Sequence, residues 1–246
     1  NGVTDRVIDG NAWIPFISGH ALIGYNLQKA IEKSCHGEYW NATGECQGLL
    51  KQASADVSAL NIYNIYEDCY KSPDKDSNLY DLYTRASSIR DSKYGVQVPC
   101  IDSEVANKWI NQESVRTALH ALSVADKEWS ICVGLNYDRN TASTIPYHKE
   151  LLEAGIRGLV YSGDTDMCVP FTGSERWTRG LGYDVTHQWR PWFVNEQVAG
   201  YVVKYQGEKG EDLTFATIKG SGHTVPQYKP AQAFHFFERF LSDIHF

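Results

Sequence analysis

Apolar residues recur at helical spacing in two early stretches, residues 21–33 and around 49–60, and each predicts an amphipathic helix. The chain from about 20 to 100 is otherwise loop-rich. Residues 72–93 are crowded with Ser, Asp, Lys, Asn and Tyr and show little apolar periodicity, which predicts an exposed loop suited to proteolytic cutting. The character changes near residue 100. Asp102 or Ser103 can cap a helix running through Trp109 and Ile110, and Asn111 can cap a second one containing Val115, Ala118 and Leu119. Residues 146–154 predict a helix ended by Gly155. The apolar run 156–161 then has the character of a buried parallel strand. A helix over about 174–179, closed by Gly180, leads towards a second strand at 213–218. Pro230 opens a last helix with Ala233, Phe234, Phe237, Phe240 and Leu241 expected on one face. Strands and helices in alternation imply an α/β layer fold.

A chain of 246 residues with 42% hydrophobic content can bury the core of one domain. The net charge of −7, with no run of Lys or Arg, argues against a nucleic-acid surface or a polybasic membrane patch. Apolar stretches are interrupted well short of a membrane span, and the first five residues have no signal-peptide character, so any targeting segment is expected outside this chain. The six cysteines, Cys35, Cys46, Cys69, Cys100, Cys132 and Cys168, form no C-x-x-C and have no histidine pair at ligand spacing beside them. Disulfides are therefore a better reading than zinc. Asn41-Ala42-Thr43 is a glycosylation sequon. Together these features favour an oxidising compartment: secreted, vacuolar or lysosomal.

Functional groups of open α/β sheets gather at the carboxyl ends of strands. The first strand here runs into Asp164 and Asp166, and the second into Gly220-Ser221-Gly222-His223. Asp before His on successive strand ends is the order used by α/β-hydrolases, where a nucleophilic serine comes earlier still. No serine of this chain has a glycine two residues before it, so no G-x-S-x-G elbow is present. Taken alone, His223 could be a packed histidine in a tight turn, Asp164 or Asp166 a turn or cap residue, and Cys168 a small buried hydrophobe.

The stretch 161–170, the block Trp189-Arg190-Pro191-Trp192 followed by residues 197–201, and residues 214–226 resemble the serine carboxypeptidase family, near its plant type I enzymes. The first five residues resemble the family segment downstream of the nucleophile, and the resemblance continues to the C-terminus. It implies that residues 1–246 are the C-terminal portion of one α/β-hydrolase domain, with a helical, disulfide-bonded insertion at about 20–100. It further implies removal of single residues from peptide C-termini at acidic pH, without a metal or other cofactor. Position by position, the family's catalytic aspartate matches Asp166 and its histidine matches His223, leaving Asp164 a structural residue of the turn. Cys168 and Thr224 match positions at the pocket for the leaving residue. The family pattern pairs Cys35 with Cys46 and Cys69 with Cys100, and sends Cys132 to an upstream segment.

The nucleophile, the oxyanion-hole glycines and the groups that hold the substrate carboxylate belong to that upstream segment. The isolated chain is accordingly expected to be inactive. Its expected partners are a peptide substrate and the N-terminal segment or chain of the same enzyme, with a homodimer as an open alternative. Nucleic acid and membrane are not expected. Two other functions remain open. Acyltransferases of similar sequence use the same chemistry, although Gly-Ser-Gly-His-Thr-Val-Pro resembles the peptidases more than the Gly-Gly-Gly-His-Thr-Ala-Pro form of the acyltransferases. A fragment without a nucleophile could instead serve as a binding protein.

Overall fold

The structure is a computed structural model that describes residues 2–70, 100–121, 128–131, 140–207, 210, 212–244 and 246. The predicted loop at 72–93 and Cys132 lie outside the described residues.

The chain opens with a helix that the periodicity did not single out, α1 (Arg6–Gly19). Asp5 caps it, accepting the N–H groups of Val7 and Ile8 at 3.0 Å each, which satisfies two donors a helix start would otherwise leave free. Next come α2 (Tyr25–Cys35) and α3 (Gly44–Asp56). The third helix begins five residues before the periodic stretch noted in the sequence, because Gly44, Glu45 and Gln47 continue it on a polar face. Cys35 and Cys46 are bonded to each other, closing the turn between these two helices. A second disulfide joins Cys69 to Cys100. The buried faces of these helices form one core with Trp13, Phe16, Ile17, Ile31, Leu50 and Val57, and that core reaches Met167.

After Cys100 come α4 (Glu104–Ile110), α5 (Glu113–Ala118) and α6 (Ile145–Glu153). The expected cap at Asn111 is a correction. Gln112 stands at the N-cap of α5, and Asn111 closes α4 while its side chain accepts from the N–H of Trp129 and donates to its carbonyl. Its carboxamide satisfies a distant backbone pair, which no local pattern reports.

The sheet contains β1 (Gly158–Gly163), β2 (Asp184–Val194), β3 (Gln197–Gln206) and β4 (Asp212–Ile218), in the order β1-β4-β3-β2. β1 and β4 are parallel; β2 and β3 form a hairpin, and β3 is antiparallel to β4. The hairpin turn is Asn195-Glu196, both with positive φ, a backbone twist that matches paired strands. Pro191 and three register shifts in β2 are tolerated because, among the described residues, that strand lies at an edge of the sheet. α7 (Phe171–Gly180) follows β1 and packs against α1, with Thr172 Oγ1 donating to the Ala12 carbonyl at 2.8 Å. The chain ends with α8 (Val225–Tyr228) and α9 (Pro230–Leu241). The apolar face of α9 differs from its sequence reading: Ala233 and Phe236 are buried, while Phe234, Phe237 and Leu241 are exposed.

Candidate active site

β1 and β4 run parallel and in register, from Gly158 opposite Leu213 to Gly163 opposite Ile218. The loops that leave their carboxyl ends therefore start as neighbours. Backbone bonds then zip them together: Asp164 N–H donates to Ile218 O at 3.2 Å and Thr165 N–H to Ser221 O at 3.0 Å. A side chain at Gly163 would collide with the carbonyl oxygens of Ser221 and Gly222, so only glycine permits this approach. Asp164 adds a further tie, its Oδ1 accepting the Gly220 N–H at 2.6 Å. Burial raises the Asp164 carboxyl above its ordinary value, against the hydrogen bonds from Gly220 and Ser221.

This pairing of loops sets Asp166 against His223, 57 residues apart in sequence, with Nδ1 at 2.9 Å from Asp166 Oδ2. Asp166 is fully buried, whereas the His223 side chain keeps 27% of its surface exposed. The other carboxylate oxygen, Oδ1, accepts the N–H groups of Cys168 at 2.8 Å and Val169 at 3.2 Å. Both oxygens are thus engaged, and the carboxylate cannot rotate away without losing three partners. Because a carboxylate only accepts, Nδ1 carries the proton and Nε2 presents a lone pair. Among the described residues Nε2 has no hydrogen-bond partner. An imidazole so held can take a proton at Nε2 while the buried carboxylate stabilises the resulting charge.

A third segment, residues 61–67 after α3, bears on both loops. It reaches the aspartate loop through Ile65 N–H to Thr165 O at 3.1 Å, Met167 N–H to Ile62 O at 2.9 Å and Thr165 Oγ1 to Asn64 Oδ1 at 2.9 Å. It reaches the histidine loop through His223 N–H to Tyr63 O at 2.7 Å. The Tyr63 and His223 rings lie 5.4 Å apart. A Cβ at Gly222 would strike Tyr63 O and stand 2.6 Å from Asn64 Cβ, so glycine is required on both sides of the dyad. The sequence reading did not identify this segment. Its one local sign is a pair of Asx turns, with Asn61 Oδ1 accepting from Tyr63 N–H and Asn64 Oδ1 from Tyr66 N–H, and these do not say what the turn touches.

Cys168 lies beside Asp166, and burial together with the Asp166 charge pushes its thiol up to about 12. Thr224 is exposed, its hydroxyl donating to Gln227 Oε1 at 3.0 Å. Asn41 is exposed in the turn between α2 and α3. The two disulfides and Asn41 lie in the helical segment. Among the described residues no three His, Cys, Asp or Glu side chains converge as a metal site requires. Nor is any helix of those residues long and apolar enough to cross a membrane.

Comparison with known proteins bears on what this arrangement belongs to. Residues 1–243 match the serine carboxypeptidase family model. Serine carboxypeptidase 1 of Hordeum vulgare is 43% identical over 278 residues, covering 98% of this chain and 55% of that protein. Serine carboxypeptidase-like 21 of Arabidopsis thaliana is 39% identical, covering 98% of this chain and 56% of that protein. The chain spans about half the length of the curated relatives it matches. In three dimensions it resembles Kex1(delta)p, a prohormone-processing carboxypeptidase from Saccharomyces cerevisiae, with a TM-score of 0.59 at 17% identity, over 98% of this chain and 53% of that one. The parallel β1–β4 pair, the loops at its carboxyl edge and this coverage agree: the chain belongs to the serine carboxypeptidase family and has an α/β-hydrolase fold.

Proposed function

We propose that this chain supplies the base and its orienting acid to a serine-type carboxypeptidase, with the nucleophilic serine contributed by residues outside the chain. The observation that carries the reading is the 2.9 Å bond between His223 Nδ1 and a fully buried Asp166, with Nε2 unbonded among the described residues. As the serine Oγ attacks the carbonyl of the C-terminal peptide bond, His223 Nε2 takes its proton and returns it to the leaving amino acid. Asp166 stabilises the imidazolium without itself being protonated. Water then attacks the acyl-enzyme with His223 again as base. Cys168 and Thr224 flank the dyad in sequence and are assigned to the pocket for the departing residue.

Two surfaces support a contribution from outside the chain. Among the described residues β1 is paired on one edge only, with β4, and an open parallel edge is a site for further strands. On α9, Phe234, Phe237 and Leu241 stand exposed, at 64%, 54% and 59%. The two disulfides, the exposed sequon at Asn41 and the family membership support a secretory-pathway location and a glycan on Asn41. Cys132 is assigned to a disulfide with the upstream segment; non-reducing mass measurement that finds Cys132 wholly as a thiol overturns that assignment.

Labelling the native protein with a fluorophosphonate tests the central claim. A serine adduct, abolished by His223→Ala, is expected; absence of any adduct rejects a serine enzyme and favours a non-catalytic binding role. Release of a free amino acid from a blocked dipeptide then separates a peptidase from an acyltransferase, which would instead need an ester donor.

A further inference from the structure

The contacts of residues 61–67 extend beyond backbone bonds. Tyr228, the last residue of α8, lies five positions after His223 and turns back over the histidine loop, its ring edge 2.9 Å from where a Gly222 Cβ would sit. Its phenol then crosses to the 61–67 segment and donates to Glu67 Oε2 at 2.6 Å. Asn61 Nδ2 approaches the same oxygen at 3.5 Å. The histidine loop is thereby gripped twice by one segment: Tyr63 O holds the His223 N–H at 2.7 Å, and Glu67 holds Tyr228. The same segment is bonded to the aspartate loop at Thr165 and Met167. It ends at Cys69, whose disulfide to Cys100 anchors it, with Tyr70 N–H donating to Cys100 O at 3.3 Å.

We propose that Tyr228 and Glu67 form a positioning pair, whose hydrogen bond fixes the histidine loop against the 61–67 segment and so holds His223 at bonding distance from Asp166. Tyr228 also shares a side-chain hydrogen bond with Thr224, next to His223; the pair acts on the reaction through His223, and the proposal rests on reading His223 as the general base. The geometry suits a fixed strut. A charge-assisted O–H···O bond of this length is among the stronger and more directional of protein hydrogen bonds. Burial and the neighbouring Glu67 push the Tyr228 phenol up to about 12, against a side-chain hydrogen bond with Thr224, so the phenol is the donor of this bond. Without the bond, the His223 N–H to Tyr63 O bond and the Tyr63–His223 ring contact would be left to hold the histidine loop to the 61–67 segment.

The test uses the native protein with Tyr228→Phe, Glu67→Ala, Glu67→Gln and the double variant Tyr228→Phe/Glu67→Ala. Tyr228→Phe removes one oxygen and leaves the ring on Gly222, so the fold should persist, which the thermal midpoint checks. The first readout is exchange with water of the downfield proton on His223 Nδ1, observed by proton NMR and independent of any nucleophile. The second is kcat and KM on a blocked dipeptide. Each of the two disruptive single variants should speed proton exchange and lower kcat by about tenfold with KM unchanged. The double variant should be no worse than either single, and Glu67→Gln, which keeps an acceptor, should recover most of the loss. Parent-like exchange and kcat in Tyr228→Phe overturn the proposal, as does a rise in KM at constant kcat, which would make Tyr228 a substrate contact. If the parent turns over no peptide yet its Nδ1 proton responds to Tyr228→Phe, the positioning pair stands and the catalytic reading of the site falls.

Discussion

Gly222→Ala is the sharpest probe of how closely the dyad is built. The added methyl would overlap the Tyr63 carbonyl oxygen and come within 2.6 Å of Asn64 Cβ and 2.9 Å of the Tyr228 ring. Ordinary carbon contacts lie at about 3.5–4.0 Å, so the histidine loop must retreat by about 1 Å. The Tyr63 carbonyl belongs to a backbone pinned on both sides and cannot yield in its place. A 1 Å retreat lengthens the His223 N–H bond to Tyr63 O from 2.7 Å and the Nδ1 bond to Asp166 from 2.9 Å, taking both beyond useful hydrogen-bonding range. Overpacking costs about 1–3 kcal/mol and each of the two lost bonds about 1 kcal/mol, which together amount to about 3–5 kcal/mol. For a chain of this size that lowers the thermal midpoint by roughly 6–20 °C, and the downfield Nδ1 proton should vanish. Calorimetry and proton NMR check the two effects separately. Gly180→Ala, at the end of α7 with nothing within 4 Å of the new methyl, is the matched control and should leave both readings unchanged or slightly raise the midpoint. A Gly222→Ala protein with a parent-like midpoint and an intact Nδ1 proton would refute the tight contact between the histidine loop and residues 61–67.

Other perturbations test the dyad, the neighbouring thiol and the Asp9 carboxyl of α1. Asp166→Asn places an amide donor where Nδ1–H needs an acceptor, so kcat should fall by about 10⁴ while the midpoint changes little, measured by peptide turnover and calorimetry; a loss under tenfold contradicts the dyad. Cys168, with its thiol pushed up to about 12, should react with iodoacetamide at pH 7 far more slowly than the same thiol in the urea-unfolded protein; equal rates would show the site to be open. Asp9 is raised to about 6, chiefly by burial, despite accepting N–H bonds from Thr4 and Asp5. The folded protein then binds more protons than the unfolded chain between about pH 4 and 6, so this group makes stability fall as pH rises through that window, by about 3 kcal/mol at most. Asp9→Asn should remove that decline, read as thermal midpoints at pH 4 and pH 7; identical pH dependence in parent and variant would refute it.

Local signals carried much of the layout. The periodic helices, the strands at β1 and β4, and the glycine-rich turn before His223 were legible because each is a pattern over a few residues that burial on one face imposes. β2 and β3 were not read as strands. Their burial pattern is irregular, Pro191 and three register shifts interrupt β2, and pairing partners rather than sequence period hold such an edge hairpin together. The last helix shows the same limit from the other side. Its apolar residues were evident, but which of them face the sheet depends on how α9 lies over it, and the structure buries Ala233 and Phe236 while leaving Phe234 outside.

The site divides in the same way. Asp166 and His223 could be named from motif and order along the chain, since their glycine-bounded loops are contiguous in sequence. Their contact could not, because it depends on β1 and β4 being adjacent, parallel and in register. Residues 61–67 and Tyr228 belong wholly to the second kind. Nothing in Asn64 or Glu67 marks a functional residue, and they matter only because folding brings the segment after α3 across both strand-end loops. Sequence by itself determined the chemical groups and the local turns that present them. Tertiary structure alone decided distance, burial and restraint, because those are properties of segments far apart along the chain and packed together in space.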